Sequence, residues 1–233
     1  LASQYNTPAP LSFIMQKLLI QDDVFESNNN FVLDPMFGYG SLTNLLSIKN
    51  YPIIGYEKNS RKVQLVKALK QENLKLESID SVNSNLLDFK NDKNPFRYVI
   101  CNPACIKNSK KYEYSDTHGS IVLDRTDHIM LLKSLVVRAD VGRCVFLLPH
   151  FMDSDSKFSQ NQDFELESLL NFVQARYNIE GAITVSSEIY SKSLRRISPI
   201  LLIVGDKKSK FDTTKKLKLK DVLSNVIRDY ESL

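Results

Sequence analysis

The chain has 233 residues, 42% of them hydrophobic, and no apolar run near 18 residues; it can build a full core but offers no membrane-spanning helix. Its 31 basic and 27 acidic side chains leave a net charge of +4, which permits a nucleic-acid partner without demanding one. Three cysteines, Cys101, Cys105 and Cys144, exclude a disulfide framework and point to a reducing, cytoplasmic setting.

The opening Tyr5-Asn6-Thr7-Pro8-Ala9-Pro10 is loop-like. Apolar Leu11, Ile14, Met15, Leu18 and Leu19 follow at three- and four-residue spacing, which predicts a helix. Phe31-Val32-Leu33 reads as a strand that runs into Asp34-Pro35-Met36-Phe37-Gly38-Tyr39-Gly40, with a helix over residues 41–48 behind it. A second strand covers 52–56 and ends at Glu57. A helix follows over 60–71, and a short strand lies within 74–84. Tyr98-Val99-Ile100-Cys101 is a buried strand ending in Asn102-Pro103. Residues 106–125, rich in Lys and Tyr, read as a long loop. A helix over 127–139, a strand over 144–148, a helix over 165–177 and strands over 179–185 and 199–204 complete the alternation. Lysine-rich 206–220 reads as a turn and exposed tail, and 222–230 as a helix. Strand alternating with helix predicts an α/β sheet covered on both faces.

In such a sheet, ligands bind beyond the carboxyl ends of the strands. Polar or turn residues stand at four of those ends: Asp34, Glu57, Asn85 and Asn102. Gly38 and Gly40 allow a tight turn and close approach of backbone to a ligand, and the helix behind them would aim its first N–H groups at that space. Glu57 lies about one strand–helix–strand unit after the turn, the spacing at which an acid meets ribose hydroxyls. The turn has two glycines rather than the three of the dinucleotide fingerprint, and no Gly-Lys-Ser/Thr phosphate loop occurs. A cofactor with a ribose but no bound phosphate fits these residues, and S-adenosylmethionine is one. Taken alone, the turn fits an ordinary chain reversal as well.

Asp-Pro-x-x-Gly-x-Gly, Glu57 and Asn102-Pro103 stand in the order seen in amino-group DNA methyltransferases, and the chain resembles the N6-adenine branch of that family. Gln4-Tyr5-Asn6-Thr7-Pro8 is similar to the Tyr-x-Thr-Pro segment before the family's first helix. Residues 142–149 and 199–208 are similar to its later strands. The resemblance implies a class I methyltransferase (Rossmann-like) fold: a seven-stranded, mostly parallel sheet with helices on both faces and a reversed final strand. It spans residues 1–208, and 209–233 form a basic extension with a helix. It implies S-adenosylmethionine as cofactor, with Tyr5, Thr7 and Pro8 flanking the methionine part. Asp34, Gly38 and Gly40 would hold the amino-acid end, Glu57 the ribose, and Asn85 (or Asp88) the adenine amino group. Asn102 would also border the cofactor.

Asn102-Pro103-Ala104-Cys105 would be the acceptor loop. The Asn102 amide oxygen and the Pro103 carbonyl would accept hydrogen bonds from the target amino group, and catalysis would be mostly positioning for in-line transfer. Two positions depart from the family pattern. Ala104 replaces a second proline, and Cys105 replaces an aromatic ring that would stack on an extruded base, a contact worth roughly 1–3 kcal/mol. Tyr112, Tyr114 or Tyr190 could supply another ring. The resemblance implies DNA as partner. RNA or a protein amide is open as substrate, as is a degenerate module that binds without transfer. The chain begins at Leu1, shows no signal peptide and reads as a piece of a longer protein, so target recognition falls to missing flanks, a partner or residues 106–125.

Other residues carry weaker alternatives. Cys101-x3-Cys105 lacks zinc-site spacing and a second pair, so no metal site is expected. Cys105 as a nucleophile would need His118 or His150 nearby. His128 reads as a surface or packing residue. Lys107, Lys110 and Lys111 with Tyr112 and Tyr114 suit either a nucleic acid or a solvated loop. Arg195-Arg196 and residues 207–220 could touch phosphates.

Overall fold

A computed structural model describes residues 7–20, 31–69, 71–85, 96–150, 157–186, 198–224 and 226–227. Tyr5, Asp88, Tyr190, Arg195 and Arg196 lie outside the described residues.

Four strands continue one another in parallel: β1 (Phe31–Asp34), β2 (Ile53–Glu57), β3 (Leu74–Ser78) and β4 (Phe96–Cys101). β7 (Arg138–Leu148) pairs parallel to β4, and β9 (Ile200–Lys207) runs antiparallel between β7 and β8 (Tyr177–Val185). The strand order is therefore β3-β2-β1-β4-β7-β9-β8, seven strands with one reversed. β10 (Val226–Ile227) adds an eighth, short parallel strand outside β8.

Strand residues alternate between two cores, as a sheet buried on both faces requires. Leu33, Val99, Cys101, Phe146 and Leu202 face α4 (Thr126–Val137), α5 (Lys157–Gln174) and α6 (Leu219–Ser224). Val32, Ile100, Val145, Leu147 and Leu201 face the opposite layer, to which α1 (Ala9–Leu19), α2 (Asn44–Ile48) and α3 (Ser60–Lys67) contribute. Connections from β1 go to one side and from β3 to the other. The switch point thus lies between the ends of β1 and β4, where Asp34 and Asn102 stand.

The structure corrects several expected elements. Residues 106–125 are not a loop: β5 (Lys107–Asp116) and β6 (Gly119–Arg125) form an antiparallel hairpin. Along β5 the half-buried residues include Tyr112, Tyr114 and Asp116, while Lys110, Lys111 and Glu113 are exposed. The helix behind the glycine turn is only five residues long, preceded by turn. Residues 219–224 are helical and Val226–Ile227 are strand; the rest of the helix expected over 222–230 lies outside the described residues, and the lysine-rich stretch before it is pinned to α5.

Candidate cofactor and acceptor site

The glycine turn is built by a wedged ring. Phe37 is buried; a Cβ at Gly40 would come within 2.8 Å of its ring carbons, and one at Gly55 would run into the same ring. Gly40 adopts φ +83° and Gly38 +59°, the left-handed region that glycine enters without strain. At Gly38 a side chain would meet nothing within 4 Å, so the turn opens a face at that point. Glu57 locks the turn from the neighbouring strand end: its Oε2 accepts from Gly38 N–H at 3.0 Å and its Oε1 from Asn59 N–H at 2.7 Å.

Asp34 is fully buried. Its Oδ1 accepts from Met36 N–H at 3.1 Å, and its Oδ2 has no hydrogen-bond partner among the described residues. Burial pushes the carboxyl up to about 7; the Met36 bond opposes that rise and the charge of Glu57 adds to it. The loop after β3 is stitched into the same edge. Ser81 Oγ donates to Pro35 O at 2.6 Å, and the buried Lys133 ammonium of α4 donates to Val82 O and Ser84 O at 2.6 and 2.7 Å. Asn85 follows directly and is exposed.

The acceptor loop meets the entry segment. Asn102 Nδ2 donates to Thr7 Oγ1 at 2.8 Å, joining residues 95 positions apart. Pro8 O accepts from Ser12 N–H and starts α1. Behind the loop sits Arg125, whose guanidinium bonds both oxygens of buried Asp127, at 3.2 and 2.6 Å, and Pro149 O at 3.3 Å. The same nitrogen contacts Cys105 Sγ at 3.5 Å. Burial pushes the Cys105 thiol up to about 12, so it is protonated at neutral pH and is not an activated nucleophile. Neither histidine serves it: His118 stacks on Phe211 at the far end of the hairpin, and His150 bonds Asp163 at 2.9 Å. His128 is buried rather than on the surface, and burial holds its pKa down near 4.

Tyr112 and Tyr114 do not replace the missing ring. Tyr112 lies under the Lys133 ammonium at 5.0 Å, and Tyr114 packs edge-on against Phe172 at 6.1 Å. No metal-binding cluster occurs among the described residues.

Two polar residues escaped the sequence reading. Gln16 of α1 is buried, and its Oε1 accepts from Leu45 N–H at 2.9 Å and Leu46 N–H at 3.2 Å, capping α2. Its Nε2 donates to Ser12 Oγ, and Ser12 Oγ donates to Ser41 O. The first N–H groups of α2 are therefore satisfied within the protein rather than offered to a ligand. Arg125 is the second. The α2 partners of Gln16 lie about 30 positions away; Arg125 pairs with Asp127 two residues on, but its contacts to Cys105 and Pro149 are visible only once folded.

No protein-family model matches the chain, and no curated protein resembles it in sequence. Solved structures do match in shape. A protein of Listeria monocytogenes assigned as a class I S-adenosylmethionine-dependent methyltransferase superposes with a TM-score of 0.62 at 19% identity, over 91% of this chain and 64% of that one. This chain has the class I methyltransferase fold. A modification subunit assigned to a type I restriction enzyme of Vibrio vulnificus gives 0.62 at 14% identity, over 88% and 45%. Magnesium protoporphyrin IX methyltransferase of Synechocystis, with bound S-adenosylmethionine, gives 0.53 at 15% identity, over 85% and 79%. The chain thus spans less than two thirds of the length of the first two. Among the described residues no helix is long and apolar enough to cross a membrane.

Proposed function

We propose that this chain binds S-adenosylmethionine and transfers its methyl group to an amino nitrogen, with adenine N6 in DNA as the acceptor. The observation that carries the reading is the Asn102–Thr7 bond beside the Asp34–Glu57 pair. It joins the loop expected to hold the acceptor to the segment expected to border the cofactor, at the switch point of the sheet.

The residues present fit the cofactor. Asp34 Oδ2 is a buried acceptor with no hydrogen-bond partner among the described residues, and a ligand ammonium would neutralise it. Each Glu57 oxygen accepts one backbone N–H and retains acceptor capacity for a ribose hydroxyl. Thr7 and Pro8 would flank the methionine part, and Asn85, exposed past the Lys133-held loop, would face the adenine. When bound, the cofactor supplies an electrophilic methyl on a sulfonium.

The chain's own groups then orient the acceptor. Asn102 Nδ2 is held by Thr7, which fixes the amide in place, and its oxygen would serve as an acceptor for a target amino group. The Pro103 carbonyl is the second acceptor. Rate enhancement comes from position, and no base is needed before transfer.

Titration calorimetry with S-adenosylmethionine tests the cofactor site; a folded protein that binds none sinks the reading. Labelled-methyl transfer to DNA, RNA and protein pools tests the acceptor. Asn102→Ala should abolish transfer and leave cofactor affinity within about twofold; an unchanged rate would refute its role.

A second reading, a module that binds cofactor or nucleic acid without transfer, is favoured by one feature. Cys105 stands where a stacking ring is expected, and Tyr112 and Tyr114 turn inward. Losing that contact costs roughly 1–3 kcal/mol of base binding. Cofactor binding with no labelled pool would select this reading.

A further inference from the structure

Residues 207–220 hold seven lysines and one acid, Asp212. They are not a loose tail. The segment runs along α5 and is hydrogen-bonded to it at successive points. Lys208 N–H donates to Arg176 O at 2.8 Å and Asp212 N–H to Ala175 O at 3.0 Å. Leu217 N–H donates to Asn171 Oδ1 at 2.9 Å, Asn171 Nδ2 returns a bond to Leu217 O at 3.1 Å, and Leu219 N–H donates to Glu167 Oε2 at 2.9 Å. Four N–H groups of the strap are thus engaged by α5 and the two residues that follow it.

Two of the lysines are engaged: Lys207 with Asp140 at 3.2 Å, and Lys208 with Gln174 O at 2.6 Å. Lys210, Lys215, Lys216, Lys218 and Lys220 are exposed and make no ion pair among the described residues. The helix beneath the strap carries exposed Glu165 and half-buried Glu167, so the strap opposes the sign of that surface.

The strap is joined to the hairpin. Phe211 stacks on His118 at the hairpin tip, 4.5 Å between centroids and 4° from parallel. Arg176 bonds both oxygens of Asp116 beside that tip, at 2.7 and 2.9 Å, and lies 5.1 Å from the Phe211 ring. The other end of the hairpin begins at the acceptor loop, where Thr126 N–H donates to Ile106 O. Its outer edge exposes Lys110 and Lys111, with Glu113 the one exposed acid of β5. A basic strap and a partly basic arm are therefore held in one arrangement whose far end is the acceptor loop. The ten residues of β5 span about 30 Å at ~3.3 Å each, roughly nine base pairs of duplex.

We propose that the strap, with the exposed edge of the hairpin, is a docking surface for the phosphate backbone of a nucleic acid, holding it in line with the acceptor loop. The proposal deepens the nucleic-acid reading above and rests on it for what that loop meets. Five lysines in eleven residues that make no ion pair among the described residues, on a backbone hydrogen-bonded at Lys208, Asp212, Leu217 and Leu219, suit a polyanion.

The test uses the whole chain and a labelled DNA duplex of about 20 bp, read by fluorescence anisotropy across a salt series. The triple variant Lys215→Gln/Lys216→Gln/Lys218→Gln should bind about tenfold or more weaker, with the salt slope shallower by about 2–3. Its thermal midpoint and its cofactor calorimetry should match the parent. An unchanged slope in the folded triple variant overturns the proposal, as does absence of duplex binding by the parent at low salt. Equal capture of anionic phospholipid vesicles or polyglutamate through the same lysines overturns nucleic acid as the occupant. Cofactor calorimetry on the same samples separates the two readings. Duplex binding through the strap without cofactor binding keeps the strap and sinks the methyltransferase. Cofactor binding with a strap-independent slope does the reverse.

Discussion

Asp34 combines complete burial with an oxygen that nothing in the described residues satisfies. An ionised carboxylate in that position is costly, and the fold answers by holding a proton there. The unfolded chain gives up that proton near 3.8 and the folded chain near 7. Between those values the native state binds more protons than the unfolded state, so stability falls as pH rises through the window and levels off above about 7. About three pK units correspond to at most about 4 kcal/mol. Asp34→Asn should flatten this dependence, raise the stability of the free protein at pH above the window and weaken binding of a ligand ammonium. Urea midpoints on either side of the window measure it; a parent protein equally stable on both sides refutes the assignment. Cofactor binding to the parent should release a proton near neutral pH, visible as a buffer-dependent heat in calorimetry.

At the scale of elements, the short helix α2 shows why parts of the site were hidden in the sequence. Residues 41–48 have a helical look, but only Asn44–Ile48 form the helix, and a side chain from α1 completes its start. Gln16 is an ordinary helix residue by propensity, and its partners lie about 30 positions on. Gln16→Leu keeps the volume and removes the acceptor of Leu46 N–H, leaving Leu45 N–H with Asn44 Oδ1 alone, which should cost about 1–3 kcal/mol in stability. A variant with the parent's denaturation midpoint would show that the cap contributes nothing. The strands, by contrast, were legible because their residues are apolar on both faces and end in turn-forming pairs: Val32-Leu33 before Asp34-Pro35, and Ile100-Cys101 before Asn102-Pro103. The hairpin was not, because its inward face uses Tyr112, Tyr114 and Asp116 among lysines and serines, a pattern that composition reads as loop. Alternation was present, but carried by half-buried rings rather than by aliphatic side chains.

Across the whole molecule, Arg176 joins three elements. It bonds Asp116 of the hairpin, lies 3.5 Å from the Phe172 ring centroid of α5 and sits beside Phe211 of the strap. The carboxylate of Asp116 is held down to about 2 by that guanidinium, with its bond to His118 N–H assisting. This contribution to stability is complete above the ordinary carboxylate range and is lost as pH falls toward 2. Arg176→Ala should release the hairpin tip and the strap while sparing the glycine turn. Hydrogen exchange should quicken at residues 110–123 and 208–217 and stay unchanged in β1 and β2; uniform protection in the variant would deny Arg176 this role. The strands and both cores rest on apolar runs that the sequence displays, and the sheet with its reversed strand was implied by the family resemblance, whereas this junction is polar, long-range and visible only once folded.

The hairpin departs and returns at one place. Lys107 is paired with Arg125, and the next residue, Thr126, bonds back to Ile106. The closure cost of the path between those anchors depends only weakly on its length, but Tyr112, Tyr114, Ile121 and Leu123 pack in the core that also holds Leu33 and Tyr56, so an exchanged hairpin would have to refill that contact. What such an exchange has to preserve is the root, where Arg125 grips Asp127, Pro149 and Cys105. On the methyl-transfer reading proposed above, such an exchange would alter what meets residues 102–105 while leaving Asp34 and Glu57 in place.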